Sequence, residues 1–458
     1  MMCSYKAPGV EVVSIANQRI INISEETRIP AIIATGPSIR VIIDEAVVRA
    51  AGSGSSNQDF LQHFNVTVSQ VAAIPGVSGS YSNWAGNWSY GAGSDENNLG
   101  YIQWDSGTPG DGQPREDETY YVSYTYPVDA TQFDPTTFVD SDDVLAFYGE
   151  ESAAADGSMT MAANLALENG APAVMCVQVS GSTDSDWNIA VNKLRKKKNV
   201  AYVVPITVDS TQQAYFVNHC LLESQPLIGH ERECILGMSS SSTVDNHITK
   251  ANALASSRAI LVFPGANVDR NDLTLDGSYI AAAVAGAITS QEKVVYPVTG
   301  KTLVGFSLLD EEYEPYDMNR LGANGVLVCY SVSGVVKVRH ALTTDPTSAD
   351  TVEVSIIASD DYVRRITRNK LDERFIGKGI VIGPETPGLV EEALKAIWNA
   401  MVRNGYIYAY GTKTDPLTGE VPIKAVQSIV DPRQVDVTGS IKFLYPLNWI
   451  KVQFFLFV

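Results

Sequence analysis

Residues 173–206 read AVMCVQVSGSTDSDWNIAVNKLRKKKNVAYVVPI, and this stretch decides the class of fold. Ala173 to Val179 and Val200 to Ile206 are short apolar runs rich in valine, as strands buried on both faces are. The first follows a helical stretch ending at Asn169 and Gly170, and the second follows the basic run Lys193 to Lys198. Ala259 to Phe263, ahead of Pro264 and Gly265, repeats the pattern. Apolar strand runs alternate with helical stretches over residues 140–335, which predicts an α/β layer. The tetrapeptide Arg195 to Lys198 (RKKK) reads as a charged helix end before a buried strand rather than as a phosphate site.

Toward the N-terminus, residues 30–48 (PAIIATGPSIRVIIDEAVV) alternate buried runs with a Gly-Pro turn and are assigned, within 25–48, to core strands. Residues 1–24 read as an extended arm. Ala7, Pro8 and Gly9 forbid a helix there, and Val10, Val12 and Ile15 offer a face for pairing. From Arg49 to Tyr126 the texture turns to Gly, Ser, Asn and Trp and ends in an alternating strand, Thr119 to Tyr126. Residues 49–130 are therefore expected to be an inserted β-rich outer domain with long loops. The acidic residues between Asp95 and Asp143, with Arg115 as the only base, read as a solvated face rather than a metal site.

Toward the C-terminus, the α/β layer is placed at 131–335 and an α+β domain at 336–437. Val352 to Ile357 is expected to be a strand. Residues 386–403 predict a helix with Thr386 as N-cap, Pro387 at its first position and Gly405 past its end. Val390, Leu394, Ile397 and Met401 would form its buried stripe, and Glu391 and Lys395 would pair on the opposite face. Arg364, Arg365, Arg368, Lys370, Arg374 and Lys378 make the most basic stretch of the chain. Residues 438–458 are read as a second arm. Its even positions from Ile450 to Val458 are all apolar, as in a strand that completes a sheet, its own or a neighbour's. Lys442, Pro446, Asn448, Lys451 and Gln453 interrupt it too often for a membrane span, so no membrane insertion is expected.

At 458 residues, nearly half of them apolar, the chain can bury a large core in about two to four domains. Its formal charge of −19 argues against a sequence-independent grip on nucleic acid, which needs a surplus of Lys and Arg. The five cysteines are scattered without CxxC spacing, so no disulfide framework is expected. The start, MMCSYKAPGVEV, has neither the basic residues nor the apolar run of a signal peptide, which predicts a chain that stays where it is made.

Catalytic signatures fail one by one. Thr299-Gly300-Lys301-Thr302 resembles the end of a phosphate-binding loop, but Val295 occupies the place of its first glycine. His219, Cys220, His230 and Cys234 match no familiar zinc spacing and read as helix histidines and buried thiols. There is no GxSxG elbow, and none of His63, His219, His230, His247 and His340 lies in a pattern that marks a base. Asp105-Ser106-Gly107 superficially resembles the aspartate motif of subtilisin-type proteases, but the matching His and Ser motifs are missing. No catalytic residue, metal or cofactor is assigned. An α/β hydrolase whose groups converge only in three dimensions stays open, as does a shell or adhesin using the Trp-rich insertion on glycans.

Taken in order, the segments resemble the tail sheath proteins of contractile-tailed bacteriophages and related contractile injection systems. The segments are Tyr5 to Val12 (YKAPGVEV), Arg28 to Gly36 (RIPAIIATG), Ala163 to Ala171 (ANLALENGA) and Val203 to Gly237 with its GHERECILG. Ser257 to Pro264 (SRAILVFP), Leu275 to Thr289 (LDGSYIAAAVAGAIT), Val298 to Phe306 (VTGKTLVGF) and Lys337 to Thr344 (KVRHALTT) continue the series. Residues 49–126 resemble nothing in that family.

The resemblance implies an α/β core of subtilisin-like topology without the protease triad, followed by an α+β sheath domain facing the tube. It implies a homo-oligomer of stacked six-fold rings around an inner tail tube protein, with baseplate and tail terminator proteins as further partners. Contraction then drives the tube through the host envelope for genome delivery, in a virion tail assembled in the host cytoplasm, without nucleotide. A bacterial injection device, pyocin-like or secretion-like, is the alternative. In the family the arms add strands to neighbouring subunits, which makes Tyr5, Val10, Val12, Tyr445, Trp449, Ile450, Val452, Phe454 and Leu456 the expected intersubunit contacts. Arg364, Arg365, Arg368, Lys370 and Arg374 are then either a tube-facing surface or a merely solvated strand-loop face.

Overall fold

The computed structural model describes residues 27–37, 39–49, 58–63, 65–72, 88–94, 98–104, 114–115, 117–127, 133–152, 158–264, 268–270, 273–308 and 313–448. The chain forms two compact units, residues 36–133 and the residues before and after them.

The larger unit is built on a nine-stranded sheet. Its strands are β1 (Ile29–Ala34), β2 (Thr136–Phe138), β3 (Val174–Gln178), β4 (Val200–Pro205), β5 (Glu233–Leu236), β6 (Ala259–Phe263), β7 (Thr302–Leu303), β8 (Val326–Val332) and β9 (Val335–His340). They lie in the order β7-β9-β8-β6-β5-β4-β1-β3-β2. The six strands from β8 to β3 run parallel, and β7, β9 and β2 are antiparallel margins. Every residue of β1 is buried. Its alternation explains how: Ile32 and Ala34 enter one core, Ile29, Ala31 and Ile33 the other, so the sheet is covered on both faces.

Helices α1 (Ser141–Tyr148), α2 (Ser158–Glu168) and α6 (Gly277–Thr289) supply the first face, and α3 (Asp184–Asn192), α4 (Ser210–Glu223), α5 (Val244–Leu254) and α7 (Pro315–Ala323) the second. Small residues set the closest approach. Helix α6 carries alanine at 281–283, 285 and 287, and a Cβ added at Gly286 would lie 2.1 Å from the Ala166 carbonyl oxygen of α2. Helix α3 starts with a capping box in which Thr183 and Asp186 satisfy each other's backbone N–H groups. The basic run 193–198 forms a short 3-10 turn ahead of β4, the charged helix end expected there.

Three expectations are corrected. Ile39–Val48 does not join the core sheet; it pairs antiparallel with Thr119–Pro127 in the smaller unit. Its apolar run marks it as a strand without saying which sheet takes it, and the chain leaves the main sheet at Gly36 and Pro37. Val352 to Ile357 is not a strand, because Val354–Phe375 is one long helix, α8. Its first turns are buried on all sides from Val354 to Ser359, so the β-branched alternation carries no information about period. Helix α9 (Thr386–Arg403) has Glu385 at its N-cap, while the Thr386 hydroxyl instead accepts from the Gly383 N–H and donates to the Val381 carbonyl. Leu394 and Met401 are buried as expected, joined by Ala393 and Trp398, and Lys395 pairs with Glu391 at 2.8 Å.

The smaller unit contains two three-stranded sheets, in the orders 39–48, 119–127, 67–72 and 58–60, 101–104, 88–91. Its core holds a buried carboxylate, Asp59, whose Oδ2 accepts from Trp104 Nε1 and from the Tyr120 hydroxyl, both at 2.8 Å, and lies 3.5 Å from the Arg49 guanidinium. A buried charge is tolerated when it is paired and hydrogen-bonded in this way. Asp105, Ser106 and Gly107 lie outside the described residues.

Candidate functional site

The groups that carry chemistry in the α/β layer are tied into the fold. Gly300 turns with φ +78° into β7, a strand, whereas a phosphate-binding loop opens a helix. Lys301 Nζ donates to Ser290 Oγ at 2.8 Å. His219 and Cys220 lie on α4, and Cys234 lies on β5. His219 Nε2 is 3.0 Å from Arg232 Nη1, and burial followed by that guanidinium pushes its pKa down to about 3. Burial, with Cys220 beside it, pushes the Cys234 thiol up, away from the reactive thiolate. His230 meets Glu223 at 3.1 Å, His247 Nδ1 the Thr243 carbonyl at 2.8 Å, and His340 Glu353 at 2.6 Å. Each of these four rings is held by a backbone, carboxylate or guanidinium group rather than facing a hydroxyl nucleophile.

The surfaces of interest lie at the C-terminal end. Helices α8 and α9 pack around Val363, Leu394, Trp398, Met401, Ile407 and Ile423, and Trp398 Nε1 donates across to Thr367 Oγ1 at 3.1 Å. Against them lie two short antiparallel ladders, Ala409–Tyr410 with Ile441–Lys442 and Lys424–Gln427 with Val435–Thr438. Each is two-stranded among the described residues, so each leaves strand edges unpaired. At the tip of the second ladder Ile429 and Val430 are fully or nearly fully exposed, and Leu417 is also bare.

The chain then runs from Phe443, packed on this core, to Asn448. The Tyr445 hydroxyl bonds to Asp350, and Asn448 Nδ2 donates to Glu353 Oε1 at 2.8 Å and meets His340 Nε2 at 2.9 Å. Of the expected arm contacts, Tyr445 is therefore exposed yet tethered to its own subunit. Trp449, Ile450, Val452, Phe454, Leu456, Tyr5, Val10 and Val12 lie outside the described residues.

The basic stretch lies on α8 as far as Arg374, which corrects the strand-loop form given to one of its two readings. Arg364 pairs with Asp360 at 2.7 Å, Arg368 with Glu231, and Lys370 with Glu373 at 3.3 Å. Arg374 is exposed, as is Lys378 beyond the helix. Arg365 is turned inward, and burial with the nearby Arg28 guanidinium pushes its pKa down to about 10. No sequence signal brings Arg28 and Arg365 together; they are 337 positions apart and meet only through packing. No helix among the described residues is long and apolar enough to cross a membrane.

No protein-family model matches the chain. It is 30% identical over 349 residues to the tail sheath protein of Mycobacterium phage Bxz1, across 73% of this chain and 58% of that one. The chain thus spans about three fifths of the length of that curated relative. Among solved structures it superposes on a chain of the six-fold-symmetrised anti-feeding prophage baseplate with a TM-score of 0.57 and 13% identity, covering 72% of this chain and 89% of the other. The contracted helical sheath of the anti-feeding prophage gives 0.55 at 12% identity, over 72% and 90%. The contracted sheath complex of an extracellular contractile injection system gives 0.54 at 13%, over 71% and 87%. The fold is that of contractile sheath subunits. The chain itself is a relative of the phage tail sheath proteins, as the order of its segments implied.

Proposed function

We propose that this chain is a non-enzymatic tail sheath subunit. Copies of it stack as six-fold rings around an inner tube, between baseplate and terminator proteins, and contract to drive the tube through a host envelope for genome delivery. It acts in the virion tail after assembly in the host cytoplasm, with the α/β layer, of subtilisin-like topology, as the rigid body that moves. The observation that carries this reading is the pair of two-stranded ladders at the C-terminal end, whose edges are open among the described residues. Two-stranded sheets are marginal by themselves, and an added strand supplies both backbone partners and apolar cover.

Residues 1–24 and 449–458 are the strands proposed to fill those edges in neighbouring copies, with Val10, Val12, Trp449, Ile450, Val452, Phe454 and Leu456 as their apolar contacts. Each backbone hydrogen bond contributes about 0.5–1.5 kcal/mol net, and each fully buried large apolar side chain about 1.5–3 kcal/mol. A joint of six to eight residues, roughly, then survives while the rigid bodies slide. Arg364, Lys370 and Arg374 are the outward cations of α8 proposed to face an acidic tube, whereas Arg365 and Arg368 are held within the subunit. The similarity to chains of an injection-system sheath supports a bacterial device as the second reading.

Negative-stain electron microscopy of the full chain beside one ending at Asn448 tests the proposal. That truncation removes none of the described fold. Hollow cylinders from the full chain, lost on truncation, support arm-held assembly; dispersed monomers from both overturn it.

A further inference from the structure

A cavity of about 310 Å³ opens in the larger unit beside the start of β1, and the assembly reading makes no use of it. Arg28, Tyr202, Lys293, Tyr362, Arg365 and Tyr406 line it. The charges around it can be paired off. Arg258 holds Asp361 at 2.6 Å, Arg364 holds Asp360, and Arg368 holds Glu231. Among the described residues Arg28 and Arg365 have no carboxylate at ion-pair distance, although the Arg28 guanidinium lies 5.3 Å over the Tyr202 ring and Asp361 and Glu231 attract Arg365 from further off. Arg28 Nη1 makes one long bond, 3.4 Å, to the Ala358 carbonyl, while its Nε and Nη2 make none. Nε and Nη2 of Arg365 also lack a partner, as does the Ser355 hydroxyl on the same wall.

The leftover carboxyl nearby does not balance them. Burial of Glu233, with Asp361 beside it, raises its pKa to about 8 against the opposing pull of Arg258, Arg28 and the Tyr202 hydroxyl, which favours its neutral form at neutral pH. Lys293 adds a third cation, 3.0 Å from the Asn404 carbonyl and 5.8 Å from the Tyr406 ring centre, and Glu292 is the only acid among the described residues of the wall. Two like-charged guanidiniums with four idle donors are costly to bury, and guanidinium forks match carboxylate and phosphate oxygens.

We propose that this cavity is an oxyanion site, taking a small ligand that carries a carboxylate or phosphate group, with Arg28 and Arg365 as its anchors. Tyr362 and Tyr406, stacked at 4.4 Å, supply the apolar wall. Because Arg28 leads into β1 and Arg365 sits on α8, the bound anion ties the sheet to the C-terminal helix. The site rests on the geometry of one subunit and is independent of any assembly.

The test is the thermal unfolding midpoint of the full chain titrated with inorganic phosphate or with citrate, ionic strength held constant with sodium chloride. A saturable rise of about a few degrees is expected when the anion reaches about a hundred times its dissociation constant. Arg28→Gln and Arg365→Gln each abolish the rise, and Lys378→Gln keeps it. A response to phosphate alone assigns a phosphate ligand, and one to citrate alone a carboxylate. No rise over the chloride control, or a rise that survives both substitutions as general salting-out would, overturns the site. Should Arg365→Gln fail to fold, calorimetric titration decides. Binding heat in the wild-type chain and none in Arg28→Gln supports the proposal; heat in both or in neither overturns it.

Discussion

Gly286 is needed for its lack of a side chain rather than for a special backbone angle. A methyl group there would meet the Ala166 backbone, which cannot swing aside as a side chain end would. Gly286→Ala should therefore cost about 1–3 kcal/mol by overpacking, read as a lowered urea midpoint with the m-value unchanged. Glu233 makes a prediction in pH. Its folded pKa of about 8 lies above the ordinary 4.5, so the folded state holds this proton more tightly than the unfolded chain. The stability it contributes is complete below the unfolded value, falls as pH rises through about 8, and is level above that. Glu233→Gln keeps a neutral group in place. The variant should gain on the wild type between about pH 5 and about pH 8, by a few kcal/mol on the order-of-magnitude scale of such shifts, in urea titrations across that range.

At the scale of elements, the C-terminal layer hangs on α9. Trp398 is its largest buried side chain, touching Tyr410 edge-on at 6.0 Å and reaching Thr367 on α8. Gly439 passes so close that an added Cβ would lie 3.2 Å from the Trp398 ring. Trp398→Ala should cost about 3–5 kcal/mol. Hydrogen exchange should speed up first in the ladders formed by residues 409–442, with β1 and β4 protected, because these short ladders have little else to pack on. Helix α9 was legible in the sequence because Pro387, Gly405 and a run of apolar residues at helical spacing are local signals. The start of α8 was not. Val354, Ile356 and Ile357 fit a strand as well as a helix, because burial on all sides erases the polar-apolar period that would tell the two apart.

For the whole molecule, residues 36–133 have their own core, centred on Trp104, Tyr120 and Tyr124. Replacing them with a short Gly/Ser linker between Thr35 and Asp134 should leave the main thermal transition and the helical circular dichroism in place. Loss of cooperative unfolding in that variant would show that the larger unit depends on the insertion. An inserted domain was legible in its change of composition at Arg49, but its first strand was not, because Ile39–Val48 has the composition of the core it departs from.

The sequence by itself determined the α/β layer, the helix at 386–403 and the resemblance to tail sheath proteins, because strand runs, helix stops and segment order are written along the chain. Only the tertiary structure decided which sheet takes Ile39–Val48, that Val354 begins a helix, and that Arg365 turns inward to share a cavity with Arg28. Those outcomes depend on what each surface is buried against, and burial is a relation between distant residues that no local pattern encodes.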